Sequence, residues 1–279
     1  MLVDQFSQNK NSNQVEGRRL TLADFDYDCP QHLIAQEPYP NRADSRLLIR
    51  ASSGLTKHLH VTDLTTELPP GTVLILNDSR VFPSRLIGKL STGGSVEAFL
   101  LEPQVATTRE GGCLWRALGR PMKKLKKGTR VFFTAGLEAE VIDKADDGAG
   151  NGLLTLWFSK SAPEMAAWLD QFGYIPLPPY IKREQTLPAA FSPDLNRYQT
   201  VFARQSGSVA APTAGLHFTD VLLQNLRSKG IEICFVSLHV GAGTFLPVKT
   251  EDVSSHKMHF ERYRVCLLYT SDAADDTPC

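Results

Sequence analysis

The texture between Thr72 and Phe158 restricts the fold more than any other feature of the chain. TVLILN, RLIGKL, SVEAFLLE, CLWRALGR, TRVFFTA, EAEVID and LLTLWF are short runs rich in β-branched and aromatic residues. Turn signals separate them, most clearly Gly93-Gly94 and the DDGAGNG run. Such runs fit a pleated, half-buried surface, and their even spacing predicts a small antiparallel barrel or sandwich. The flanks read differently. SAPEMAAWLDQFG has helical periodicity, with Pro163 suited to the first turn and Gly173 to the left-handed position past the end. Upstream, PQHLIAQEP predicts a short helix closed by Pro38, and RLLIRASSGLTKHLHVTDL predicts a strand, a Ser-Ser-Gly turn and a second extended piece. YIPLPPYIKRE holds too much proline for a helix or a central strand and is expected to run extended over the surface.

The stretch SGSVAAPTAGLHFTDVLLQNLRSKG changes character at its middle. Its first half is small residues; its second is an amphipathic helix with Thr219 as N-cap, Asp220 in the first turn, and Phe218, Leu222, Leu223 and Leu226 on one face. Arg227 and Lys229 occupy the last turn and Gly230 ends it. IEICFVSLHV follows and is apolar at both alternations, as a strand covered on both faces would be. The expected class is therefore α/β (α+β mixed): a mixed-sheet α/β domain from 20–78 plus 159–265, with an antiparallel β-barrel domain inserted at 79–158. A polar leader at 1–19 and a tail at 266–279 flank them.

Composition narrows the function classes. At 279 residues and 42% apolar content the chain can bury roughly two cores. Its 30 basic and 30 acidic residues cancel, so attraction to nucleic acid needs a local patch. Cys29, Cys113, Cys234, Cys266 and Cys279 are odd in number, scattered and without CxxC spacing, which argues against a disulfide framework and a zinc knuckle. No apolar run approaches the roughly 18 residues of a membrane span, and MLVDQFSQNKNSNQVEGRR lacks an apolar signal core. A cytoplasmic protein without membrane contact is expected.

Five segments carry chemistry-bearing residues. PTAGLHF sets His217 at the start of a helix, after small residues whose main-chain N–H groups a ligand can approach closely. An imidazole there can act as acid or base near neutral pH, or simply be a hydrogen-bonded loop residue. LHVGAGTF places His239 and a Gly-x-Gly pair after a strand, where open α/β sheets bind ligands. As a dinucleotide fingerprint it fails, because the third glycine is absent and FLPVKTED opens no helix; room for a nucleoside is the weaker claim that remains. HKMH spaces His256 and His259 three apart, but no third ligand follows at a recognisable spacing, so a surface or core pair is favoured over a metal site. RPMKKLKKGTR concentrates Arg120, Lys123, Lys124, Lys126, Lys127 and Arg130 with no acid among them. Such a cluster either solvates a strand edge or contacts a phosphate backbone. LNDSRV puts Asp78 and Arg80 at the junction of the two modules, as a turn or as part of a ligand cleft.

Taken together, FDYDCPQHLIAQEP, RADSRLL, LILNDSRVFPSRLIG, GYIPLPPYIKR, RYQTVFARQSGSVAAPTAGLHFT, VSLHVGAGTFLPV and HKMHFERYRV resemble the S-adenosylmethionine:tRNA ribosyltransferase-isomerases of queuosine biosynthesis. The likeness runs in order from about Leu20 to Val265, and PTAGLHFT followed by LHVGAGTF is its most specific part. It implies a mixed α/β domain with an inserted β-barrel. It also implies transfer and isomerisation of the ribosyl part of S-adenosylmethionine onto the aminomethyl nitrogen of 7-aminomethyl-7-deazaguanine at the tRNA wobble position, with release of adenine and methionine. S-adenosylmethionine is then a substrate, no metal is required, and a monomer is expected. On this resemblance His217 and His239 are the acid and base, in either order. Phe218 and Phe245 are expected to stack a base, and Arg80 and Arg204 to hold a carboxylate or phosphate. Asp78, Ser208, Pro212, Thr213, Gly215, Gly241, Gly243 and Thr244 are expected to line the substrate. The basic loop is expected to touch tRNA. The family pattern does not continue into CLLYTSDAADDTPC, which reads as foreign sequence on a truncated member. In that case IEICFVSLHV is expected at an exposed edge, and an inactive, non-catalytic tRNA-binding fragment is the alternative function.

Overall fold

A computed structural model describes residues 19–104, 111–146, 152–183, 186–256 and 258–265. The leader up to residue 18, most of the DDGAGNG turn and the tail at 266–279 lie outside the described residues. The chain begins with short 3-10 turns and a hairpin of β1 (Arg46–Arg50) and β2 (Thr56–His60), joined through Gly54 at φ +86°. PQHLIAQEP, read as a short helix, forms only a 3-10 turn at Gln31–Leu33. After a single helical turn, α1 (Leu64–Glu67), come β3 (Val73–Asn77) and β4 (Ser79–Val81).

Six strands then make the barrel: β5 (Arg85–Leu90), β6 (Ser95–Gln104), β7 (Cys113–Arg120), β8 (Arg130–Phe132), β9 (Glu138–Asp146) and β10 (Gly152–Phe158). They close in the order β10-β7-β6-β5-β8-β9, every pair antiparallel, so this sheet has no free edge. Alternate residues point inward, and Leu86, Leu100, Leu137, Leu154 and Phe158 are fully enclosed. Each contributes roughly 1.5–3 kcal/mol by leaving water. Register shifts at Leu100/Glu102 and Thr155/Leu156 add the local twist that closure demands. Helix α2 (Ala162–Phe172) packs on the barrel through Met165, Trp168 and Leu169, and the Trp168 indole donates to the Thr134 carbonyl at 3.1 Å. Its capping box is Ser161 with Glu164.

Gly173, expected in the left-handed region, is extended at φ −69°, ψ 162°. The helix runs straight into Tyr174, whose N–H bonds the Arg85 carbonyl at 2.8 Å. Glycine is needed there for closeness, because a Cβ would sit 2.4 Å from the Pro83 carbonyl oxygen.

The remaining elements are α3 (Asp194–Arg197), β11 (Gln205–Ser208), α4 (Asp220–Ser228), β12 (Glu232–His239) and β13 (Arg262–Val265). Strands β3 and β12 run parallel, β13 joins β12 antiparallel, and β4 pairs in parallel with β11. Helix α4 starts as its sequence requires, with the Thr219 hydroxyl accepting from the Leu222 N–H at 3.1 Å, and it turns out through Gly230 at φ +83°. Leu222, Leu223 and Leu226 pack with Phe218, Phe202 and Leu76 against one face of the sheet.

Two expectations for IEICFVSLHV need correction. Strand β12 is central, between β3 and β13, and is not an edge. It is also only half-buried along most of its length, and on neighbouring β3 Val73 is 52% and Ile75 63% exposed. Among the described residues α4 supplies an apolar layer on one face, and the opposite alternation of β3 stays open.

Candidate active site

The site grows from the carboxyl ends of β3 and β12, where four segments are tied by a buried polar network. The Asn77 amide clamps the Leu238 main chain, donating to its carbonyl at 2.9 Å and accepting its N–H at 3.0 Å. The Asp78 carboxylate, 7% exposed, accepts the Ser237 hydroxyl at 2.5 Å, while its carbonyl accepts the Arg204 N–H at 2.7 Å. Ser208 is fully buried; its hydroxyl donates to Ser79 at 2.9 Å and accepts the Val240 N–H at 2.8 Å. Buried hydroxyls and a carboxylate remain only where their partners are supplied, and here the partners fix the exit of β12. Asp78 and Ser208 thus shape the site from beneath.

Beyond β12 the chain makes the glycine loop and the 3-10 turn Ala242–Phe245. A cavity of about 950 Å³ opens there between the barrel and the loop. Its walls include Trp115 and Arg116 of β7, Asp170 of α2, His239, Gly241 and Gly243. The His239 ring lies on Gly207, where a Cβ would stand 2.8 Å from both Cε1 and Nδ1, and Gly207 has φ +145°. Only glycine meets both conditions. The Nδ1 atom of His239 is buried with no hydrogen-bond partner.

A second cavity of about 550 Å³ adjoins the first, with Leu246 on both walls. Thr213, Thr244 and Phe245 line it with Pro178, Tyr180 and Tyr198, so the two signature loops meet here. Burial pushes the Tyr198 phenol up to about 12, against the opposing effect of the Ala211 main chain, so the group stays neutral. Phe245 also meets Phe99 of the barrel edge-on at 5.9 Å.

His217 lines neither cavity. It ends the 3-10 turn Thr213–His217, which Arg42 anchors by donating to the carbonyls of Leu216 at 3.1 Å and Gln199 at 2.7 Å. Burial and the Arg42 charge hold its imidazole below the usual range, partly offset by a hydrogen bond to the Arg42 main chain. The predicted pair of histidines therefore does not share a cavity. Phe218 is a core ring, 8% exposed and edge-on to Phe202, and is not placed to stack a base. Gly215 gives room to Thr200 and Phe202, and Pro212 accepts the Gly215 N–H at 2.8 Å. The exposed Arg204 guanidinium lies over Phe235 at 5.2 Å, and the exposed Arg80 also stands off both cavities. All six cations of the basic loop are exposed, and Leu125 between them is buried in the barrel core.

Sequence reasoning missed Arg42, Gly207, Tyr198 and Glu261. Glu261 accepts the Gly241 N–H at 3.0 Å, and His259, read as a surface or core residue, lies over Gly243 beside the larger cavity. No cluster of three metal-ligating side chains occurs among the described residues.

These features define a barrel-inserted α/β protein with a cleft beyond the carboxyl ends of parallel strands, where such sheets hold their ligands. The chain belongs to the queuosine biosynthesis protein family, whose model matches residues 22–271. It is 46% identical over 246 residues to the S-adenosylmethionine:tRNA ribosyltransferase-isomerase of Anaeromyxobacter sp. (strain Fw109-5), covering 88% of this chain and 68% of that one. It is 44% identical over 261 residues to the enzyme of the same name from Staphylococcus aureus (strain JH9), covering 92% and 71%. It thus spans about two thirds of the length of these relatives. The crystal structure of S-adenosylmethionine tRNA ribosyltransferase from Thermotoga maritima is 29% identical, with 78% of this chain and 58% of that one covered and a TM-score of 0.30.

Proposed function

We infer that this protein transfers and isomerises the ribosyl moiety of S-adenosylmethionine onto 7-aminomethyl-7-deazaguanine in tRNA, yielding epoxyqueuosine with release of adenine and methionine. Family membership supports the reaction, and one structural observation supports its location: the glycine loop after β12 presents His239 and bare main chain to the cleft facing the barrel.

The chemistry asks for two proton movements. A C5′ proton beside the sulfonium is acidified and a base removes it, helping to expel adenine; the attacking amine must also lose a proton before its lone pair is available. His239 serves the first. Gly241 and Gly243 let the nucleoside approach the main chain, and Phe245 with Thr213 and Thr244 borders the adjoining space for the rest of the sulfonium. His217, its proton affinity lowered by burial and the Arg42 charge, lies outside both cavities and takes no part in either proton movement. The exposed basic loop from Arg120 to Arg130 contacts the tRNA backbone, and the chain works in the cytoplasm as a monomer.

The test is to incubate the chain with S-adenosylmethionine and precursor tRNA, following free adenine and tRNA binding together. Adenine formed only when both substrates are present supports the reading. Tight tRNA binding without adenine refutes it in favour of a non-catalytic tRNA-binding protein.

A further inference from the structure

We propose that His259, not His217, is the second imidazole of the active site and accepts the proton of the substrate's amine. The proposal rests on the reaction inferred above and extends it to a residue with no assigned role.

Three observations carry it. First, His259 and His239 line the same cavity. Second, each ring is seated on a glycine of a signature loop. A Cβ on Gly207 would meet His239 at 2.8 Å, and one on Gly243 would meet Cγ and Nδ1 of His259 at 2.9 Å. Two imidazoles each lying on bare main chain at one cleft make a built arrangement, because any other residue at 207 or 243 displaces a ring. Third, the segment bearing His259 is pinned on both sides of the cleft. Glu261 accepts the Gly241 N–H at 3.0 Å, and Arg262 crosses to Glu102 of the barrel at 2.5 Å.

Position decides which imidazole does what. His239 has one nitrogen sealed and lies at the base of the glycine loop, suited to the small sulfonium substrate. His259 is exposed at the mouth, flanked by Met258 and Phe260 at 76% and 99% exposure, where an amine borne on a macromolecule enters. The charged side chains sharing that cavity are the carboxylates Glu102, Asp170 and Glu261 and the guanidiniums of Arg116 and Arg262. Three carboxylates against two guanidiniums favour arrival of an ammonium. That ammonium must then be neutralised. One N–H bond breaks with its electron pair kept on the amine nitrogen, and the proton forms an N–H bond on the His259 ring, leaving a neutral amine.

The experiment compares the full chain with His259→Gln, Gly243→Ala and the control His256→Gln, measuring adenine release from pH 6 to 10. His259→Gln is expected to lose about 10²-fold in kcat near pH 7, a usual contribution of a positioned base, with KM for S-adenosylmethionine unchanged. The deficit should shrink as rising pH deprotonates the amine unaided. Gly243→Ala should lower kcat as well, but with KM for S-adenosylmethionine raised, because that glycine also borders the nucleoside, and His256→Gln should match the unaltered chain. A second readout needs no turnover: precursor tRNA should slow carbethoxylation of His259, followed by mass spectrometry, while S-adenosylmethionine alone should slow that of His239. Undiminished turnover of His259→Gln, a deficit equal at every pH, or carbethoxylation of His259 indifferent to tRNA overturns the proposal. An unaltered chain that binds both substrates and releases no adenine overturns the inferred reaction, and this assignment with it.

Discussion

Single residues set the geometry of the cleft, and glycines set it most sharply. Gly207 combines φ +145° with a ring 2.8 Å from the place a Cβ would take. Gly207→Ala therefore strains the backbone and pushes His239 aside together. A displacement near 1 Å at a catalytic group costs about 10²-fold in rate. That loss is expected in kcat, with far-ultraviolet circular dichroism unchanged. His217 makes a different prediction. Burial and the Arg42 charge lower its folded-state value, so the folded chain binds this proton less readily than the unfolded one. Its contribution to stability is present above the usual histidine value of about 6.5 and is lost as pH falls below it. Unfolding by urea between pH 7.5 and 5 should show stability falling with acid, and His217→Gln should flatten that fall. An unchanged slope would mean that another group is responsible.

At the scale of the element, neighbouring residues of β3 face opposite environments. Leu76 is 6% exposed in the α4 cluster, and Ile75 is 63% exposed on the open face. Leu76→Ala should cost about 2–5 kcal/mol, and Ile75→Thr should stay within about 0.5 kcal/mol, both read from denaturant midpoints. Elements of this kind are legible where one local rule governs them. The barrel strands follow from short apolar runs between turns, and α4 from Thr219, its leucine face and Gly230. Gly173 departs from the expected left-handed helix end because the deciding contact is a carbonyl of Pro83, ninety positions away in the chain. The sharing of a cavity by His239 and His259 is not legible for the same reason. It depends on how β12, β13 and the barrel fold back on each other, and no spacing in the sequence encodes that. HKMH draws attention as a possible metal pair, yet only the close approach of its second ring to Gly243 gives His259 its place.

For the whole molecule, the barrel and the mixed sheet are useful because they face one another. The Arg262–Glu102 ion pair and the Phe99–Phe245 contact join the barrel to the segments carrying the glycine loop, so the barrel forms one wall of the larger cavity. The basic loop is the barrel's electrostatic contribution. Replacing Lys123, Lys124, Lys126 and Lys127 by Ser should weaken tRNA binding and reduce the slope of log K against log salt by about 0.7–0.9 for each phosphate no longer neutralised. Equal slopes would remove the loop from the interface. Ribosyl transfer is proposed to occur in the cleft at His239. Its most direct test is single-turnover reaction of precursor tRNA with excess chain and S-adenosylmethionine, followed by digestion and mass analysis of the wobble nucleoside. Epoxyqueuosine from the unaltered chain, with a rate at least about 10²-fold lower in a folded His239→Ala variant, is the predicted result. Epoxyqueuosine formed equally fast by the variant would contradict it.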